Sequence, residues 1–153
     1  MSAVLKDVPR LAPMREEDLA EVVGVENAIY SHPWTRGNFA DSLRSGYACR
    51  TYRLGGGLIG YFVLLVAAGE AHLLNLSVAA GSQRAGHGSA LLEEAMRIAR
   101  AQGARHVFLE VRPSNRAAQG LYTRFGFKRV ATRRGYYPAH EGREDALVLT
   151  LVL

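Results

Sequence analysis

The chain has 153 residues, 48% of them apolar and 22% charged, a composition that fits an ordinary globular protein and excludes a disordered or fibrous one. Its one cysteine, Cys49, excludes an intrachain disulfide and points to a reducing compartment. No apolar run reaches the roughly 18 residues of a membrane span, and the net charge of +5 comes without zinc-finger spacing or an aromatic RNA-binding motif.

A single domain over residues 1–153 is expected. The opening Met-Ser-Ala-Val-Leu-Lys-Asp lacks a signal-peptide layout, so a cytoplasmic location is expected too. Residues 10–14 read as a short strand. From Glu16 to Ala28, Leu19, Val22, Val23 and Val25 recur at roughly helical spacing behind three acids suited to a helix start. Ser31-His-Pro-Trp34 interrupts that helix, and Thr35 is placed to cap a second one with Phe39 and Leu43 on one face. Residues 47–54 and 58–67 predict strands joined at Gly55-Gly56-Gly57. The run from Ile59 to Val66 is nearly all apolar, as in a central strand covered on both faces.

After a further strand at 71–78 comes Gln83-Arg-Ala-Gly-His-Gly88, then Leu91, Leu92, Ala95, Met96 and Ala99 in a helical stripe closed by Gly103. A glycine-rich turn opening a helix leaves backbone N–H groups unpaired at the positive end of the helix dipole, which suits a phosphate or pyrophosphate. Gly86 and Gly88 lack a Cβ, so ligand oxygens can approach the main chain. A strand at 106–111 follows, then a helix capped by Ser114 or Asn115 that runs to Phe125-Gly-Phe127. Strands at 128–134 and 146–152 close the chain, with Tyr136-Tyr137-Pro138 read as the loop between them. The class is α/β (mixed α+β), with one mixed sheet and helices on its faces.

Glu110 lies in Val-Phe-Leu-Glu-Val111, among residues that suggest a buried strand. Burial disfavours a charged carboxylate and makes it a better proton acceptor. The alternative is an exposed glutamate paired with Arg112. Tyr122 reads either as a core aromatic beside Phe125 and Phe127 or as a proton donor to a leaving group. Five basic residues between Arg124 and Arg134 read as a solvated face or as a contact for an acidic partner. The five histidines and Cys49 have no metal-ligand spacing, so no metal is expected.

Leu76-Ser-Val78, Gln83-x-x-Gly86-x-Gly88, Leu109-Glu-Val-Arg112 with Asn115, and Leu121-Tyr-x-x-Phe125-Gly-Phe127 together resemble the GNAT superfamily of acetyl-CoA-dependent N-acetyltransferases. Arg133-Arg-Gly-Tyr-Tyr-Pro138 and Gly142-Arg-Glu-Asp-Ala146 narrow the resemblance to bacterial enzymes that acetylate the N-terminal alanine of a ribosomal small-subunit protein. The resemblance implies a mostly antiparallel sheet of six or seven strands. It implies acetyl-CoA as co-substrate, with the pantetheine arm along the main chain of Leu76, Ser77 and Val78. The pyrophosphate would lie on the turn formed by Arg84, Ala85, Gly86, His87, Gly88 and Ser89, and Asn115 near the thioester. Glu110 would be proton acceptor and Tyr122 proton donor, with Trp34, Tyr136 and Tyr137 framing the peptide. The partner implied is a ribosomal-protein N-terminal peptide, with no direct contact to nucleic acid or membrane, and a monomer is expected. Two departures stand out. Ala79-Ala-Gly-Ser82 replaces the usual approach to the turn, and His87, expected to be exposed, replaces an apolar residue. A lysine or small-molecule acetyltransferase, and a non-catalytic acyl-CoA-binding module, are the alternatives.

Overall fold

The computed structural model of the protein describes residues 8–153, so the N-terminal heptapeptide used for the signal-peptide reading lies outside the described residues. Seven strands and four α-helices follow in the order β1 (Arg10–Pro13), α1 (Leu19–Ile29), α2 (Arg36–Arg44), β2 (Ala48–Leu54), β3 (Gly57–Ala67), β4 (Glu70–Val78), α3 (His87–Ala101), β5 (His106–Val111), α4 (Arg116–Arg124), β6 (Lys128–Pro138) and β7 (Arg143–Val152). The sheet order is β1-β2-β3-β4-β5-β7-β6. β4 and β5 pair in parallel, while β1/β2, β2/β3, β5/β7 and β6/β7 are antiparallel. This is the mixed, mostly antiparallel sheet expected.

The chain forms two compact units. The first comprises the described residues up to Leu64 together with Asn75–Ala95, and the second comprises Leu65–Leu74 with Met96–Leu153.

In the first unit, the acids Glu16–Asp18 form a separate 3-10 turn before α1 begins at Leu19. The helix buries Leu19, Val22 and Glu26 on one stripe. α2 is capped as expected: the Thr35 hydroxyl accepts from the Asn38 N–H and the Asn38 side chain accepts from the Thr35 N–H. Phe39 then packs edge-on against Tyr61 of β3. The β2–β3 hairpin turns on Gly55 and Gly56, both at positive φ, with Leu54 paired to Gly57. Leu58 to Leu64 are all buried apart from having no side chain at Gly60, which matches a strand covered on both faces. One cover is α1 and α2, packed on Tyr61 and Val63. The other is α3, whose Leu91 side chain lies over Gly60.

In the second unit, α3 ends as its sequence predicts. Gly103 adopts φ +83° and the Ala104 N–H bonds to the Ala99 carbonyl, closing the helix in a glycine cap. β5 alternates strictly, with Val107, Leu109 and Val111 buried and His106, Phe108 and Glu110 half-buried on the other face. Period-2 geometry therefore takes Glu110 out of the apolar layer expected for it. β6 is longer than predicted. Tyr136, Tyr137 and Pro138 belong to the strand, because the hairpin pairs Tyr137 with Glu144 and Pro138 with Arg143. Gly135, at φ +60°, sits at an irregularity between Arg133 and Tyr137 and lets the strand continue past it.

A Cβ at residue 60 would lie 2.8 Å from the Ser77 carbonyl oxygen and 2.9 Å from Leu91 Cδ1. Backbone cannot yield as a flexible side chain does, so Gly60→Ala should destabilise the protein by about 2 kcal/mol. Thermal unfolding should show a melting temperature lower by about 4–8 °C; an unchanged value would contradict the tight contact.

Candidate active site

The first unit carries the glycine-rich turn expected to bind an anion. After β4, a 3-10 turn at Ala80–Ser82 leads into Gln83, whose side-chain amide donates to the Val78 carbonyl at 3.1 Å. Arg84 and Gly86 both adopt left-handed backbone, at φ 64° and 83°. Left-handed residues interspersed in a turn make a concave nest of N–H groups, and α3 starts at His87 with its first amides free of helical partners. Nothing stands within 4 Å of a Cβ built on Gly86, so the nest is open. Arg84 and Ala85 are exposed, whereas His87, Gly88 and Ser89 are half-buried. His87 departs from the exposed position expected, because its ring packs edge-on against Tyr52 at 5.6 Å.

The end of β4 lies in the same unit. Leu76 and Val78 are half-buried, and Ser77 is buried with its hydroxyl hydrogen-bonded to Asn75 and Tyr30, both at 2.7 Å. Ser77's side chain is thus committed inside the unit. Trp34, from the α1–α2 loop, is half-buried, with its ring 5.1 Å from Phe39 and its N–H donating to Glu26 Oε2 at 2.9 Å.

The second unit brings Glu110, Asn115, Tyr122, Tyr136 and Tyr137 onto β5, α4 and β6. The Glu110 carboxylate accepts from Arg133, not Arg112, at 3.3 Å. It also accepts a hydrogen bond from the Tyr136 hydroxyl, which together with burial raises that phenol above its usual range. Tyr136 and Tyr137 meet edge to face at 4.9 Å, with Arg133 over the first ring and Arg112 over the second. Burial, then the negative charge of Glu110, pushes the Tyr137 phenol up to about 12. Asn115 caps α4, its side-chain oxygen accepting from the Ala118 N–H at 3.2 Å. Tyr122 is buried and packs edge-on against Phe127 at 5.6 Å.

The profile of the acetyltransferase (GNAT) family matches residues 13–127, more than half of the chain. The chain belongs to the GNAT family. It is similar to the ribosomal protein bS18-alanine N-acetyltransferase of Escherichia coli strain K12, with 33% identity over 92% of this chain and 95% of that protein. The Haemophilus ducreyi enzyme of the same name is 32% identical over 90% of this chain and 96% of its own length. The crystal structure of the Escherichia coli enzyme superposes with a TM-score of 0.88 at 32% identity, covering 95% of this chain and 94% of that one. The GNAT chain is thus an acetyl-CoA-dependent N-acetyltransferase.

Two residues of this GNAT chain escaped sequence reasoning. Glu26 falls seven positions after Leu19 and four after Val22, on the buried stripe of α1, and that misplaced charge was the available signal. Glu144, in the polar run Gly142-Arg-Glu-Asp-Ala146, is the other. It accepts from the Ser114 hydroxyl at 3.0 Å, the Ser114 N–H at 2.9 Å and Arg112 at 3.1 Å. Asp145 accepts from the Gly135 N–H. Among the described residues, no group of three or more His, Cys, Asp or Glu side chains is arranged to hold a metal ion.

The Ser114 hydroxyl bond, with further help from the Ser114 N–H and Arg112, holds the Glu144 carboxyl below its ordinary range. A carboxyl lowered in the folded state contributes its full stability above the unfolded pKa and loses it as pH falls through the folded one. Glu144→Gln should therefore cost about 1–2 kcal/mol at pH 7. The gap from wild type should close once the pH falls below the lowered native pKa. Melting curves across pH check this, and a gap that persists there would contradict it.

Proposed function

We propose that the protein transfers acetyl from acetyl-CoA to the N-terminal α-amine of a ribosomal small-subunit protein that begins with alanine. The observation that carries this reading is the near-full-length similarity to the bS18-alanine N-acetyltransferases, which extends beyond the family-matched segment into the C-terminal strands. The open, doubly left-handed turn of Arg84–Gly86 supports a pyrophosphate on its amides, and the Arg84 side chain is exposed beside it. In this reading the main chain of Leu76, Ser77 and Val78 takes the extended pantetheine arm as an added strand, and Asn115 lies near the thioester. The protein acts as a single GNAT domain, a monomer in the cytoplasm.

A peptide α-amine has an ordinary pKa of about 7.7–8.0, so much of it is protonated at neutral pH. Glu110 accepts that proton, directly or through a water. The freed nitrogen attacks the thioester carbonyl carbon, the carbon–sulfur bond breaks, and Tyr122 protonates the departing sulfur. Tyr136, Tyr137 and Trp34 frame the peptide. Direct transfer needs no protein nucleophile. Cys49 suits none, since it is buried and burial pushes its thiol up to about 11.

The test is acetyl transfer to a short peptide beginning Ala-Arg, read by mass spectrometry, against the same peptide with its α-amine blocked. Acetylation of the free α-amine alone is expected. Equal labelling of the blocked peptide would move the substrate to lysine side chains, and cofactor binding without transfer to any amine would favour a binding module. Glu110→Gln and Tyr122→Phe should each lower kcat on the order of 10²-fold with acetyl-CoA affinity little changed. Near-wild-type turnover in both would remove these roles.

A further inference from the structure

The first unit buries a carboxylate that the proposed mechanism does not use. Glu26 is 2% exposed, and every hydrogen bond it accepts comes from a neutral donor. Oε1 takes the Tyr61 hydroxyl of β3 at 2.6 Å and the Asn75 amide of β4 at 3.2 Å. Oε2 takes the main-chain N–H of Trp34 at 2.9 Å. Buried ionic groups are often replaceable by well-packed apolar ones without loss of stability. A leucine or methionine would fill the α1 stripe but could not hold these three donors in one geometry.

The contacts close on themselves. The Trp34 ring packs on Phe39, Phe39 packs on Tyr61, and Tyr61 returns to Glu26, which holds the Trp34 main chain. At the other end of the loop the Tyr30 hydroxyl bonds to Ser77, which bonds in turn to Asn75. Both ends of a four-residue stretch, Ser31 to Trp34, are thereby fixed to the same part of β4.

We propose that Glu26 is a positioning residue for the peptide: it holds the α1–α2 loop so that Trp34 meets the substrate's N-terminal residue in a preformed arrangement. This rests on the peptide-acetylating function above. An anchored loop spares the peptide the cost of ordering it, so loss of the anchor weakens peptide binding. Acetyl-CoA, assigned to main-chain groups and the glycine turn, is little affected.

Trp34 is the only tryptophan, so its fluorescence reports on the loop without any substrate. In Glu26→Gln, acrylamide quenching of Trp34 should rise about twofold and peptide KM about tenfold, while kcat and acetyl-CoA KM stay within about twofold. Tyr61→Phe removes one donor from Oε1 but leaves the Trp34 N–H bond, so it should change both readouts in the same direction and by less. Unchanged quenching in Glu26→Gln would overturn the proposal, as would parallel rises in the two KM values, the mark of a general loosening. Should Glu26→Gln fail to fold, Tyr61→Phe decides: a rise in both quenching and peptide KM with acetyl-CoA KM unchanged supports the anchor, and any other pattern overturns it. If the wild type acetylates no alanine peptide, the substrate assignment fails. The quenching comparison then decides whether Glu26 anchors the loop.

Discussion

The first unit depends on the missing side chain at Gly60. Where other residues of β3 from Leu58 to Leu64 bury side chains, this one lets the Ser77 carbonyl and Leu91 come within contact distance of the backbone. Close approach there fixes both the end of β4 and the first turns of α3. The Ala79 N–H bonds to the Ile59 carbonyl at 2.9 Å, and Gln83 reaches back to Val78. The approach to the turn thus spends the Ala79 and Ser82 N–H groups and the Gln83 side chain to hold it in place, while the first amides of α3 keep no helical partner. An anion site needs both conditions, because amides already paired cannot bind and a loose loop would lose entropy on ordering.

The second unit uses charge where the first uses shape. β6 is exposed along most of its length, so apolar burial cannot fix the Tyr136–Tyr137 pair. Arg112 does so with one guanidinium. It donates to the Pro138 carbonyl at 2.8 Å, pairs with Glu144 and lies 4.3 Å from the Tyr137 ring centre. An exposed ion pair contributes only about 0–1 kcal/mol. The Glu144 side chain is 22% exposed and also takes a backbone N–H and a hydroxyl, so its clamp holds more firmly than an isolated surface pair. The same clamp ties β7 to the turn in which Asn115 caps α4.

Elements with a strong local signal were legible in the sequence: the Thr35 cap, the glycine hairpin, the α3 stripe with its Gly103 cap. Each rests on contacts a few residues apart. The failures share a cause too. Gly135 and Pro138 punctuate the sequence like a loop, but the pairing of β6 with β7 runs through both, and pairing is non-local. Glu110 sits in an apolar string, yet its face depends on strand alternation and on which face of the sheet is covered. Partners such as Arg133 for Glu110 and Ser114 for Glu144 lie 23 and 30 residues away. The left-handed backbone at Gly86 was legible because glycine announces it directly, whereas that at Arg84 was not.

Glu26, Glu110 and Glu144 are all buried or half-buried, and their hydrogen bonding separates them by how freely a cation can reach each carboxylate. Glu26 is sealed from water with its donors fixed on β3, β4 and the α1–α2 loop. Glu144 is tied to a backbone N–H that cannot move without opening the turn before α4. Glu110 differs in kind. Its ion pair with Arg133 is long, at 3.3 Å, and the arginine side chain is 54% exposed. Its second partner is the hydroxyl of Tyr136, a residue 41% exposed. Both can turn to water when another cation approaches, at the small cost of a surface pair. A substrate ammonium can therefore exchange for Arg133 at this carboxylate and at neither of the other two, which favours Glu110 as the proton acceptor on grounds independent of any motif.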